Sequence, residues 1–412
     1  MTTRARRGTV AEAAPIAESY FTWQTTGVSL RDRRVTVCSK PGVRSHRTPD
    51  VASTLLAEAI AARPTDSVLI FNCGASPVGP VAAGLATDGR VVLADANVVE
   101  VEAARRTLAV NRVANATAHL SSGIGHLPEL PPTQVVAVRL PKGRQATLQL
   151  IWDGFLALEP GGRFYLAGAN DEGIQAALAQ VQSLFGNVGV LQYRKGCRVG
   201  VAEKSSFVPA LSGPLLDHRR FHQYAGALRG GSYVVCSRPG VFSWEKLDAG
   251  TRLLIDAMEI RPGEQVLDLG CGTGVVGVVA ARLTGSGKVF MVDAEVDAVD
   301  AASQTAQING AANCTVLPSD VTSAVRDVRF DVVVTNPPFH LAKATDHDVA
   351  AQFILEAARV LRPAGRLYVI ANRFLPYETE LRTAFTTVET IFADNRYKVL
   401  VGRGPGRQHG ES

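Results

Sequence analysis

Val266-Leu-Asp-Leu-Gly-Cys-Gly-Thr-Gly-Val275 reads as a short apolar strand that runs into a glycine-rich turn and then a helix. Glycines in such a turn let the backbone approach a ligand closely. The spacing Gly272-x-Gly274-x-x-Gly277, with Asp293 about twenty residues on, also fits a dinucleotide fingerprint. Asp268 points the other way. A carboxylate at the strand end opposes a pyrophosphate, but it suits S-adenosylmethionine, which has no phosphate and carries a cationic amine and a sulfonium. The plain alternative is a structural turn with no ligand.

Outward from this stretch the chain repeats itself. Val35-Thr-Val-Cys-Ser-Lys-Pro-Gly-Val43 returns as Tyr233-Val-Val-Cys-Ser-Arg-Pro-Gly-Val241, and the 198-residue offset runs without a gap from 35–123 onto 233–321. Of those 89 positions 37 are identical, which makes the chain a duplication. Each copy has helical spacing (51–61 and 249–258) followed by apolar strands at 67–71 and 265–269, 90–94 and 288–292, and 134–138 and 330–335. Strands alternating with helices predict an α/β fold: two tandem Rossmann-like units, each a mostly parallel sheet with helices on both faces. The expected organisation is a disordered tail (1–18), a first domain (19–204), a linker (205–232), a second domain (233–402) and a second disordered tail (403–412).

Only the second copy carries a full set of chemical groups. Asp293 ends its next strand, where an acidic side chain can accept from both hydroxyls of a ribose, and Asp320 follows the strand after that, placed to accept from an adenine amine. Each aspartate alone is an ordinary cap or turn residue. Three at consecutive strand ends predict a cofactor bed made of Asp268, Gly270, Cys271, Gly272, Gly274, Asp293, Ala294, Asp320 and Val321, with Asn336 beside it. Cys271 reads as a small packing residue of the turn.

Thr335-Asn-Pro-Pro-Phe-His340 closes a further strand. An exocyclic base amine is a poor nucleophile because its lone pair is delocalised into the ring, so acceptors that hold its hydrogens aid attack. The Asn336 amide oxygen and the Pro337 carbonyl supply them, Pro338 adds stiffness, and Phe339 offers a ring for stacking. Such a transfer is an in-line displacement in which positioning dominates, with neither a metal nor a covalent intermediate required. The loop contains no cysteine, which argues against carbon-5 methylation of a pyrimidine.

With these residues identified, 233–402 resembles the class I methyltransferases, and in particular the bacterial small-subunit ribosomal RNA guanine-N2 methyltransferases with duplicated domains. The resemblance rests on Pro239-Gly-Val-Phe-Ser243 with Leu247-Asp-x-Gly-Thr251, on Asp268 to Gly274, on Asn336-Pro-Pro-Phe-His340, and on Ala371-Asn-Arg-Phe-Leu-Pro-Tyr377 with Tyr397-Lys-Val399. It implies methyl transfer from S-adenosylmethionine to guanine N2 in ribosomal RNA, with Phe242, Asp248 and Thr251 near the methionine end of the cofactor. It also implies a first domain that is a decayed copy serving RNA recognition and folding. Under the offset, Asp268 becomes Ile70, Gly270 Asn72, Gly274 Ser76 and Asp320 Ser122, while Asp95 keeps the place of Asp293. Arg139-Leu-Pro-Lys142 stands where the second copy has Asn336 to Phe339.

Composition agrees with a globular enzyme: 412 residues, 46% hydrophobic and 20% charged, with no apolar run long enough for a bilayer. A monomeric cytoplasmic protein with free thiols is expected, having ribosomal RNA or the small subunit as partner and neither membrane nor metal. The excess positive charge lies in the first half, where residues 1–205 hold 22 Lys/Arg against 16 Asp/Glu and residues 206–412 hold 21 against 22. Arg31, Arg33, Arg34, Lys40, Arg44 and Arg47 crowd one segment and are candidate phosphate contacts, the alternative being a solvated basic face. Competing functions are methylation of a protein glutamine or a small molecule, a non-catalytic RNA-binding assembly factor and, against the weight of Asp268, a nicotinamide oxidoreductase.

Overall fold

Strands such as Val68–Phe71 and Val266–Leu269 are buried at every residue, as strands must be when helices cover both faces of a sheet. The computed structural model describes residues 20–31, 33–44, 46, 48–206, 220–338 and 344–406, of which 344–348 are described as helix backbone only. Each half holds one seven-stranded sheet. In the second half the order across the sheet is Cys314–Pro318, Val289–Asp293, Val266–Leu269, Phe330–Thr335, Leu361–Asn372, Tyr397–Pro405, Phe385–Ala393. The first five strands are parallel and the last two pair antiparallel, which gives two tandem Rossmann-like domains. The first half repeats this order strand for strand.

The order in which the chain adds strands reverses beside Val266–Leu269, whose parallel neighbours are Val289–Asp293 on one side and Phe330–Thr335 on the other. Open α/β sheets bind ligands in the crevice at the carboxyl ends of strands at such a switch point. The glycine turn and Asn336 therefore flank one crevice. Packing holds the turn: Gly274 has φ +77°, and a Cβ there would sit 2.7 Å from the Ala302 Cα, so only glycine fits without moving the helix Val296–Ile308.

Three expectations about boundaries change. The segment read as a linker contains the strand His222–Leu228, which pairs with Gly231–Ser237 in a hairpin, while residues 207–219 lie outside the described ones. The final strand runs to Pro405, so 403–405 are sheet rather than tail, because their backbone completes the pairing with Leu361–Asn372 and Phe385–Ala393. Tyr20, placed by sequence at the start of the first domain, is buried in the core of the second, among residues such as Leu267, Val321 and Leu381. Residues 1–19 lie outside the described part of the chain.

The halves meet around a pseudo-twofold axis, as two copies of one fold do when each presents the same patch. Val98 N–H donates to the Ala294 carbonyl (2.9 Å) and Val296 N–H donates to the Ala96 carbonyl (2.8 Å). The Asn97 amide donates to Glu295 at 2.8 Å. These segments directly follow Asp95 and Asp293, so the strand ends that carry these two aspartates face each other across the interface.

Candidate active site

Asp268 is buried, and its Oδ2 accepts from Gly277 N–H at 2.8 Å. Burial raises its carboxyl to about 7, with the Gly277 N–H pulling down and the nearby Asp293 pushing up. Asp293 accepts from Gly272 N–H (2.9 Å) and Glu295 N–H (3.1 Å), which ties the end of one strand to the glycine turn of the next. Burial raises this carboxyl too, against the hydrogen bonds it accepts. Both acids sit in a bed that disfavours bare negative charge and gains from a cationic or hydrogen-bonding guest. Ala294 is half-buried beside them, and the Cys271 thiol is buried and pushed far up by burial, which fits packing rather than chemistry.

Asp320 accepts from the Tyr20 hydroxyl (2.9 Å) and pairs with Lys40 (2.8 Å), both from the chain's first forty residues. The next residue, Val321, holds φ +54°, a left-handed conformation that is costly for a β-branched side chain. The Ser319 hydroxyl bonds the Val321 carbonyl (2.8 Å) and secures the turn. In the first copy the same position is Gly123, in extended backbone at φ 177°. The strained turn thus belongs to the half that kept its aspartate.

Asn336 donates its amide N–H to the Thr251 hydroxyl at 3.0 Å. Thr251 in turn donates to Asp248 (3.3 Å), which caps the helix Ala249–Ala257 and also accepts the Thr251 N–H (2.8 Å). A hydroxyl whose proton is committed to a carboxylate can only accept at its remaining lone pair. The amide nitrogen therefore faces Thr251, which leaves the Asn336 oxygen to meet an amine. Asp248 and Thr251, expected near the methionine end of the cofactor, are placed by the structure in this orienting chain. Pro337 is buried and Pro338 exposed, whereas Phe339 lies outside the described residues. Phe242 is exposed.

The first copy fills the equivalent positions differently. Arg139 stands at the register position of Asn336 and reaches the equivalent cap, donating to Asp50 at 2.5 Å and to Glu172 at 2.9 Å. Although burial pushes Asp50 up, Arg139 holds it down to about 2. Glu100, which sequence reasoning passed over, fills the rest. Its carboxylate accepts Arg44 N–H (2.5 Å) and Ala75 N–H (3.1 Å) and lies against Gly74 of the decayed turn. The equivalent residue in the second copy is Ala298, which leaves that slot without a carboxylate. A signal was present in the alignment of the halves, where an acid faces an alanine.

The basic cluster does not form one surface. Lys40 is 1% exposed and paired with Asp320, so it is withdrawn as a phosphate contact. Arg31 donates to the Glu58 and Ile60 carbonyls, and Arg44 to the Leu140 carbonyl at 3.2 Å. Arg33 and Arg34 face solvent, and Arg47 lies outside the described residues. All six cysteines are free, and no described helix is long and apolar enough to cross a membrane.

An acid-lined crevice at a switch point, with an oriented amide oxygen on its far wall, defines a Rossmann-like methyltransferase. The chain belongs to the methyltransferase small domain family, whose profile matches it twice, over residues 34–200 and 232–401. It is 31% identical to the ribosomal RNA small subunit methyltransferase C of Psychromonas ingrahamii over 266 residues, 65% of this chain and 74% of that one. With the enzyme of the same description from Shewanella halifaxensis it shares 30% over 285 residues, 69% and 82% of the two chains. Among solved structures, the 16S rRNA N2-guanine methyltransferase RsmC of T. thermophilus, in complex with S-adenosylmethionine and guanosine, superposes with a TM-score of 0.77. That match has 28% identity and covers 94% of this chain and 99% of that one.

Proposed function

We propose that this chain transfers a methyl group from S-adenosylmethionine to the exocyclic N2 amine of a guanine in small-subunit ribosomal RNA. The observation that carries the reading is the orienting chain Asp248, Thr251, Asn336, which engages the amide nitrogen and leaves the amide oxygen as the acceptor for an amine nucleophile. The names of the relatives, and the S-adenosylmethionine and guanosine held by the T. thermophilus structure, support it. S-adenosylmethionine supplies an electrophilic methyl group on a sulfonium. Asp268 and Asp293 hold the cofactor on the glycine turn, and the Asn336 oxygen and Pro337 carbonyl take the amine hydrogens so that its lone pair points at the methyl carbon. Phe339 stacks on the base. The first domain is structural and carries part of the RNA contact through Arg33 and Arg34. Because its two domains already form a closed pseudo-dimer, the chain works as a monomer, in the cytoplasm where its substrate is made.

Nucleoside mapping of ribosomal RNA tests this: cells lacking the gene lose one N2-methylguanosine from the small subunit, and re-expression restores it. An unchanged guanosine profile, with some other nucleoside or a protein left unmethylated, would overturn the assignment.

A second test uses pH. Asp268 titrates near 7 in the free protein, and a cationic guest favours its ionised form, so the bound form must titrate lower. Cofactor affinity should therefore level off above about pH 7 and fall by up to roughly tenfold per unit below it, until the bound-state value is reached. Calorimetric titrations from roughly pH 6 to 8 measure the slope. Asp268→Asn should flatten it, and a flat profile in the unaltered protein would mean that Asp268 does not meet the cation.

A further inference from the structure

We infer that the first half of the chain completes the cofactor site of the second domain, because Lys40 and Tyr20 hold Asp320 in the orientation that reads the 6-amino group of adenine. The inference rests on the function proposed above. Asp320 lies just past the strand Cys314–Pro318, the third strand end of the crevice, with its side chain 17% exposed. One oxygen accepts from the Tyr20 hydroxyl at 2.9 Å and the other pairs with the Lys40 ammonium at 2.8 Å. Lys40 is buried, and its ammonium lies over the Tyr20 ring, 3.6 Å from the centroid, with Phe21 at 5.2 Å. A cation taken this far out of water is held by its partner and by the aromatic faces around it.

The pseudo-twofold axis supplies an internal comparison. Arg238 is the counterpart of Lys40 and crosses the interface the other way, donating to the Ser122 hydroxyl at 3.0 Å. Ser122 is the counterpart of Asp320. Where the crevice has decayed the crossing cation meets a neutral hydroxyl, and it takes its carboxylates, Asp297 and Asp300, from a helix instead. Only at the intact crevice does a crossing cation meet the strand-end acid. Packing alone would be served by either arrangement, so the carboxylate at 320 answers to something in the crevice.

A carboxylate with one donor on each oxygen is fixed in plane, and its remaining lone pairs are aimed. An amino group at purine position 6 donates to it, whereas a 6-oxo group brings an oxygen against an oxygen. Adenine is thereby preferred to hypoxanthine. The groups that bear on Asp320 besides Lys40 and Tyr20 are the Ser323 hydroxyl, which accepts the Asp320 N–H at 3.1 Å, and, through their charges on Lys40 and Tyr20, Arg326 and Glu356.

The test compares S-adenosylhomocysteine with S-inosylhomocysteine by calorimetric titration of the full chain. The unaltered protein should prefer the adenine compound by about tenfold or more, the loss usual when a buried acceptor faces the wrong group. Lys40→Met should weaken S-adenosylhomocysteine by about tenfold and bring the two affinities to within a few-fold of each other, with Lys40→Arg restoring much of the preference. Tyr20→Phe, which removes one oxygen and keeps the ring, should move the ratio the same way by a smaller factor, and it carries the comparison if Lys40→Met fails to fold. Arg238→Met loosens the same interface from the other side and should leave the ratio unchanged. Equal affinities in the unaltered protein, an unchanged ratio in Lys40→Met and Tyr20→Phe, or the same loss of ratio in Arg238→Met would each overturn the inference. No binding of either compound to the unaltered protein would instead strike down the cofactor reading beneath it.

Discussion

Asn336→Ala should cut single-turnover methyl transfer by about a hundredfold or more while S-adenosylmethionine affinity stays within about twofold, because the two tasks fall to different walls of the crevice. The proposed cofactor bed is made by the strand ends at Asp268 and Asp293 and by the glycine turn, whose hydrogen bonds do not involve Asn336. Asn336 is held instead by Thr251, which takes its amide nitrogen and leaves the oxygen as the acceptor. Removing that oxygen leaves the amine's lone pair in the ring and one hydrogen without an acceptor. Thr251→Val separates holding from orienting: the acceptor oxygen at position 336 survives but the amide loses the bond that decides which end faces the base. Transfer should fall by roughly tenfold, less than for Asn336→Ala, since the amide then spends part of its time reversed. Quench-flow with saturating RNA measures both. Near-normal transfer by Asn336→Ala would show that the loop is only a turn and that the nucleophile is held elsewhere.

Ala298→Glu should abolish cofactor binding, with more than a hundredfold loss of affinity, by reproducing in the second half what Glu100 does in the first. There the Glu100 carboxylate takes the N–H groups of Arg44 and Ala75 and presses on Gly74. Their counterparts are Phe242, Thr273 and Gly272, of which the resemblance puts Phe242 near the methionine end of the cofactor. A carboxylate tethered there competes as an intramolecular ligand, and its effective concentration is far above any free ligand's. Ala298→Gln is the control, being of equal size with weaker acceptance from N–H groups and no charge, and it should bind measurably better than the Glu variant. The same reasoning sets the unaltered chain's stoichiometry at one, since the first crevice is already filled by Glu100 and Arg139. Thermal melts confirm folding, and a folded Ala298→Glu protein that binds normally would refute the plug.

Much of this was legible locally. Two-residue and 3.6-residue periodicities are properties of short windows, so the alternation of strands and helices, and hence the doubled α/β fold, could be read before any packing was known. The aspartates at 268, 293 and 320 and the Asn-Pro-Pro loop were legible for the same reason: each lies at or just past the end of an apolar strand, and strand ends in such sheets gather at one edge. The hairpin strand His222–Leu228 was missed because a two-stranded ribbon of small and polar residues, QYAGA at its centre, has little apolar alternation to show. The strand that ends at Pro405 was cut short because its last residues are glycine, arginine and proline, and their pairing is settled by neighbours on either side.

What the sequence by itself determined is that the chain is one fold written twice and that only the second copy carries the full set of acidic strand ends with the Asn-Pro-Pro loop, since both follow from residue identities at fixed offsets. Tertiary structure alone decided what those residues touch. Lys40 counts as one positive charge among several in a basic segment, and nothing in its neighbourhood along the chain says that packing will remove it from water and set it against Asp320. Nor could the sequence show that Thr251 would orient Asn336, or that Glu100 would fold into the crevice of its own domain. Periodicity records which side of an element is apolar, but pairing between distant side chains depends on how the two sheets close on each other across the pseudo-twofold axis. That closure is fixed by the burial of both surfaces together, and no local window contains it.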